Sequence, residues 1–154
     1  MKKLNKILQF SIFFFLNFAI SQTNPIGKNN LAIGGYDLVS YFKNNKAAMG
    51  EKTFEVINNG NKYHFINQEN KLSFAKNPSQ YLPQCDGYCA YGVSENNAKV
   101  SINPETFKII NGKLYLFYND SFLGKRTNTL TLWNQDEKLQ LSKIESAWNK
   151  LKGK

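Results

Sequence analysis

The chain is poor in the residues that carry most enzymatic and metal chemistry. It has two cysteines (Cys85 and Cys89), one histidine (His64), one arginine (Arg126), and a single methionine, Met49, besides the initiator. A lone histidine excludes a paired-histidine zinc motif, and any acid–base or metal role for imidazole must fall on His64. No catalytic triad, phosphate-binding loop or dinucleotide fingerprint is present; a hydrolase would have to find its base in His64 or a carboxylate. One arginine leaves bidentate phosphate recognition little to work with. The lysines are scattered, so the formal charge of +9 argues for solubility and loose attraction to anionic envelope surfaces rather than for nucleic acid. A single cysteine pair cannot staple a miniature fold. The domain must hold by burial, for which Trp133, Trp148, eight Tyr and many Phe are available.

The only long apolar run lies at the N-terminus. MKKLNK is followed by ILQFSIFFFLNFAI, and Ala19-Ile20-Ser21 offers small residues at a cleavage site. This pattern predicts a signal peptide over 1–21, a mature chain from Gln22, and a periplasmic or secreted protein. The run is too short and too asymmetrically flanked for a membrane span, and no cysteine follows it to take a lipid anchor. Loss of Lys2, Lys3 and Lys6 would lower the formal charge from +9 to +6. Residues 22–31 are polar and read as a flexible lead-in, and 32–150, without repeats or an internal linker, as one domain.

TFEVINNGNKYHFI predicts a hairpin over 53–66, and TFKIINGKLYLFY a second over 106–118 about Asn111-Gly112. KLSFAK, with Leu72, Phe74 and Ala75, reads as a helix ended by Asn77-Pro78. SFLGKRTNTLTLWNQ reads as irregular. Leu139, Ile144, Ala147, Trp148 and Leu151 recur at helical spacing, so an amphipathic C-terminal helix is expected to bury Trp148 against the sheet. The fold class that follows is α+β: a small antiparallel sheet from two β-hairpins packed against two to three helices.

AIGGYDLVSYF, KYHFIN, FAKNPSQYLPQ, GYCAYGV and FKIINGKLYLFYN, in this order and with the terminal tryptophan segment, resemble secreted bacterial YHS-domain proteins over most of 32–150. The signature falls at Tyr63-His64-Phe65, with Asn67 where a serine is expected. The resemblance implies metal binding through cysteine. Cys89 lies in the GYCAYG motif, whereas Cys85 stands where the family has another residue, so a two-cysteine site does not carry over.

The chemistry left open by the residues themselves is limited. Spaced i, i+4, Cys85 and Cys89 would share one face of a helix. As thiolates they suit a soft ion such as Cu(I), with Met49 or His64 completing the site. In an oxidising compartment they would instead form a disulfide, or remain unpaired thiols. In KYHFI, Tyr63 and Phe65 share one face and His64 points to the other. Asp37, after two glycines, is either the N-cap of a helix or a site carboxylate. Tyr36, Tyr81, Tyr88 and Tyr91 are candidates to line a pocket. The expected function is therefore an exported small binding protein handling a copper-like soft metal through Cys89, helped by Cys85, His64 and Met49. The alternatives are an enzyme or small-ligand pocket around Asp37 and Tyr88, or a structural envelope module.

Overall fold

The computed structural model describes residues 24–153, so the signal peptide expected at 1–21 lies outside the described residues. Within them, Asn-Gly dipeptides organise the chain. Asn59-Gly60 joins β1 (Glu51–Asn58) to β2 (Asn61–Phe65), and Asn111-Gly112 joins β3 (Asn103–Ile110) to β4 (Lys113–Phe117). All four turn residues have positive φ, the mirror-image turn whose twist matches the strands. A third hairpin, β5 (Asn119–Phe122) and β6 (Lys125–Asn128), occupies the stretch expected to be irregular. The protein is α+β, with three antiparallel two-stranded sheets and six α-helices among the described residues.

Side-chain caps start most of the helices. Asp37 caps α1 (Leu38–Asn44), Asn67 caps α2 (Gln68–Lys76), and Pro78 opens the single turn α3 (Pro78–Tyr81). Cys89 caps α4 (Ala90–Asn96), Asn128 caps α5 (Thr129–Trp133), and Asp136 caps α6 (Glu137–Leu151). Among the described residues no helix is long and apolar enough to cross a membrane.

Strand β4 explains how these small pieces cohere. Its run Leu114-Tyr115-Leu116-Phe117 is buried throughout, because alternate side chains serve two apolar clusters. Leu114 and Leu116 join Leu38, Val39, Tyr41, Phe65 and Phe74 under the first hairpin. Tyr115 and Phe117 join Val93, Trp133, Ile144 and Ala147 beneath the C-terminal helix.

Two expectations are corrected here. Trp148 is only partly buried and stacks on Tyr88, while the tryptophan sealed in the core is Trp133, at the end of the unexpected helix α5. On α6 the inward stripe is Gln140, Ile144 and Ala147; Leu139 is exposed, and Ser94 donates a hydrogen bond to the buried Gln140 amide. Residues 24–31 also make defined contacts with the domain. The Ile33 amide donates to the Pro25 carbonyl at 2.7 Å, Ile26 bridges Ala32, and Pro25 is buried.

Candidate functional site

The turn Ile33-Gly34-Gly35 folds the chain against the first hairpin, with the Ala32 amide on the Lys62 carbonyl of β2 at 2.9 Å. All three residues have positive φ, and the turn closes through the Gly35 amide on the Ala32 carbonyl at 2.9 Å. The Gly50 amide donates to the Gly35 carbonyl, and Tyr36 bridges Met49, so the chain doubles back and brings Met49 beside Gly35. Gly50 rides on the backbone of β2: a Cβ there would collide with the His64 carbonyl group and meet the Phe65 amide nitrogen at 2.6 Å. Only glycine permits that approach.

On β2, Tyr63 and Phe65 are buried and His64 points the other way, as the alternation predicts. The register that runs back from the Asn59-Gly60 turn sets Glu55 directly across from His64, and the strand irregularity lies beyond it, between Glu51 and Glu55. His64 Nε2 and Glu55 Oε2 are 3.0 Å apart, with only 15% and 24% of the two side chains exposed. A carboxylate accepts, so Nε2 is the donor in this pair, and Nδ1 is the ring nitrogen left without it. Nδ1 lies beside Gly35: a Cβ on that glycine would lie 3.5 Å from Nδ1, 3.7 Å from Met49 Sδ and 3.4 Å from Leu31. The missing side chain thus leaves a gap that an imidazole nitrogen and a thioether both border.

The cysteines are elsewhere, and no helix carries them both. Cys85, Asp86 and Gly87 are three successive left-handed residues in a tight turn, whereas Cys89 is the N-cap of α4. The shared helical face expected from their spacing is absent because that left-handed run ends one turn before the next helix begins. Both are free thiols. Cys89 has no exposure, and its sulfur accepts from the Gly92 and Tyr118 amides at 3.4 Å each. Thr129 donates its hydroxyl proton to the Tyr118 carbonyl, which leaves the Cys89 thiol to donate to Thr129 Oγ1 at 3.3 Å. Its sulfur is fully engaged in joining α4, α5 and the end of β4.

Cys85 instead lines a groove of about 430 Å³ with Gln84, Ile110, Tyr115, Ile144 and Trp148. Burial, then the neighbouring Asp86 and Cys89, pushes its thiol up to about 12. It is a protonated thiol at neutral pH.

Asp37 is completely buried, and four donors take up its carboxylate. Oδ1 accepts from Val39 and Ser40 amides at 2.8 and 3.1 Å, and Oδ2 from the Ile66 amide and Asn70 Nδ2 at 2.9 and 2.7 Å. It caps α1 and clamps that helix to the end of β2. Tyr36 donates to Glu105 at 3.3 Å, and burial chiefly, with Glu105 second, raises its phenol. Tyr88 lies against Trp148 with Lys99 over both rings, Tyr81 packs among Phe42 and Phe74, and Tyr91 wedges between the two clusters. Asp37 and Tyr88 therefore belong to different parts of the molecule and share no lining.

Of the four expected donors, the fold brings His64 and Met49 together and holds Cys85 and Cys89 apart from them. Among the described residues no group of three or more His, Cys, Asp or Glu is arranged to hold a metal ion. Sequence reasoning overlooked Glu55 and Gly35. Glu55 was within reach of it, since counting back from the Asn59-Gly60 turn pairs residue 55 with 64. No family model matches the chain, and no curated protein or solved structure matches it.

Proposed function

We propose that the protein is a small exported binding protein that takes up a soft, low-coordinate metal ion, Cu(I) above all, at His64 and Met49. The observation that carries this reading is the gap over Gly35, bordered by His64 Nδ1 and the Met49 thioether while Glu55 fixes the other ring nitrogen. A carboxylate on the far nitrogen orients a ligating histidine and raises its basicity. One imidazole and one thioether suit Cu(I), which tolerates few ligands and favours sulfur. They do not suit zinc, which takes four. Met49 is 58% exposed, so its flexible side chain can close over an arriving ion.

The N-terminal pattern supports export, and in an oxidising compartment a thioether and an imidazole remain ligands where thiols become disulfides. The resemblance to YHS proteins supports metal handling as well. It favours Cys89 as ligand, yet that sulfur is buried and already hydrogen-bonded, so the ligand role passes to His64 and Met49. Competition against a chromophoric Cu(I) chelator under anaerobic conditions tests the assignment. His64→Ala and Met49→Leu should each weaken retention about 10- to 100-fold, and Cys89→Ser should leave it unchanged in protein that remains folded. Retention lost with Cys89→Ser and kept with His64→Ala would overturn it.

A second reading, a small-ligand pocket, is favoured by one observation: the groove beside Cys85, with Trp148 and Tyr115 as aromatic walls and Lys113 and Glu145 among its lining. Ligand-dependent thermal shifts that Trp148→Ala abolishes would support it, and shifts indifferent to that substitution would remove it.

A further inference from the structure

The three hairpins have the same two-residue turn, and one of them has the wrong residue for it. The first turn residues are Asn59, Asn111 and Leu123, with φ of 50°, 51° and 50°, each followed by a glycine of positive φ. Asparagine adopts this left-handed conformation readily, whereas leucine is strained there. Leu123 is also 91% exposed, the most exposed large apolar side chain among the described residues. Folding gains nothing from it. Both the backbone strain and the bared apolar surface would be removed by the asparagine used at the other two turns.

The charges beside the tip point to what covers it. Gly124 is followed by Lys125 and by Arg126, the only arginine of the chain. Both are exposed, and neither belongs to any ion pair or side-chain hydrogen bond of the described residues. The one acidic side chain on the hairpin, Asp120, sits two residues back from the tip pair and accepts from the Ser121 amide. An apolar tip backed by two free cations is complementary to an anionic lipid surface: leucine enters the acyl boundary while lysine and arginine meet lipid phosphates. Arginine matches phosphate in bidentate fashion.

We propose that the β5–β6 hairpin is a membrane-docking device that rests the protein reversibly on anionic bilayers through Leu123, Lys125 and Arg126. This is independent of the metal reading, since the hairpin shares no residue with the His64 recess. One apolar anchor and two cations give weak attachment, sensitive to salt.

The test is co-sedimentation of exported, processed protein with vesicles of phosphatidylcholine containing about one-third phosphatidylglycerol, against pure phosphatidylcholine. Wild type should partition onto the anionic vesicles and release at high salt. Lys125→Gln and Arg126→Gln should each weaken partitioning about 5-fold. Leu123→Asn should weaken it about 10-fold while raising the melting temperature, because the turn is relieved; a folding defect cannot produce that pairing. Partitioning undiminished in Leu123→Asn, or equal on neutral vesicles, would overturn the proposal. So would a wild-type oligomer that Leu123→Asn dissociates, which would assign the tip to a second copy of the chain instead.

Discussion

Replacing Asp37 by alanine tests whether this carboxylate is a frame element or a site acid. Its four donors come from α1, the end of β2 and α2, and all meet a group without solvent exposure. Loss of the cap on α1 costs about 1 kcal/mol. The Ile66 amide, left without an acceptor, costs about 1–3 kcal/mol, and the Asn70 side chain, which keeps only the long hydrogen bond to Ser40 Oγ at 3.4 Å, about 1 kcal/mol more. The expected loss is about 3–5 kcal/mol, a large part of the roughly 5–15 kcal/mol that stabilises a domain. With a urea slope of about 2 kcal/mol per molar, the unfolding midpoint, read by far-UV circular dichroism and tryptophan fluorescence, should fall by about 2 M. Asp37→Asn should recover only part, since an amide nitrogen then faces two donors. A loss below about 1 kcal/mol would refute the clamp and return Asp37 to the candidates for a ligand-facing acid.

Other substitutions follow from the same geometry. Gly35→Ala should lose Cu(I) retention, because its Cβ enters the gap beside His64 Nδ1, and should cost about 1–2 kcal/mol of backbone strain at φ +84°; Met49→Leu should lose retention without that stability cost, and thermal melts separate the two. Trp133→Ala should destabilise by about 3–5 kcal/mol, measured by urea titration, whereas Trp148→Ala, at a partly exposed site, should cost markedly less. Cys85 keeps its proton in the fold well above the ordinary thiol value of 9.0, up to about 12. Its contribution is therefore fully present below pH 9 and is lost as pH rises from 9 towards 12, where the unfolded chain ionises first. Cys85→Ala should blunt that alkaline decline without abolishing it, since burial also raises Tyr63 and Tyr115.

What was legible in the sequence was written in strong local signals. Asn59-Gly60 and Asn111-Gly112 announced two hairpins and carried their registers, and Asp37 announced a cap. The third hairpin escaped because Leu123 sits where asparagine marks such turns, and α5 with it, since a single capped turn has too few residues to show a period. The cysteines misled for a different reason. An i, i+4 spacing describes a face only if the backbone is helical, and the left-handed run Cys85-Asp86-Gly87 is fixed by packing: a Cβ on Gly87 would meet Ile33 at 2.7 Å. The candidate site was half legible. His64 and Met49 were identifiable by scarcity, but their meeting over Gly35 depends on the bridge between Tyr36 and Met49 and on the packing of the Gly35 turn against β2, which no short window contains.

The central claim is that a soft ion is held by the His64 imidazole and the Met49 thioether. Titration of the protein, labelled with ¹⁵N in histidine and ¹³C in the methionine methyl, with Ag(I) as a diamagnetic stand-in for Cu(I), reads both donors in one NMR experiment. The account predicts that His64 Nδ1 and the Met49 methyl shift together and saturate at one equivalent, while Nε2 keeps its proton and both cysteine thiols stay titratable on unfolding. Saturation with His64 and Met49 unmoved and a thiol consumed would contradict it.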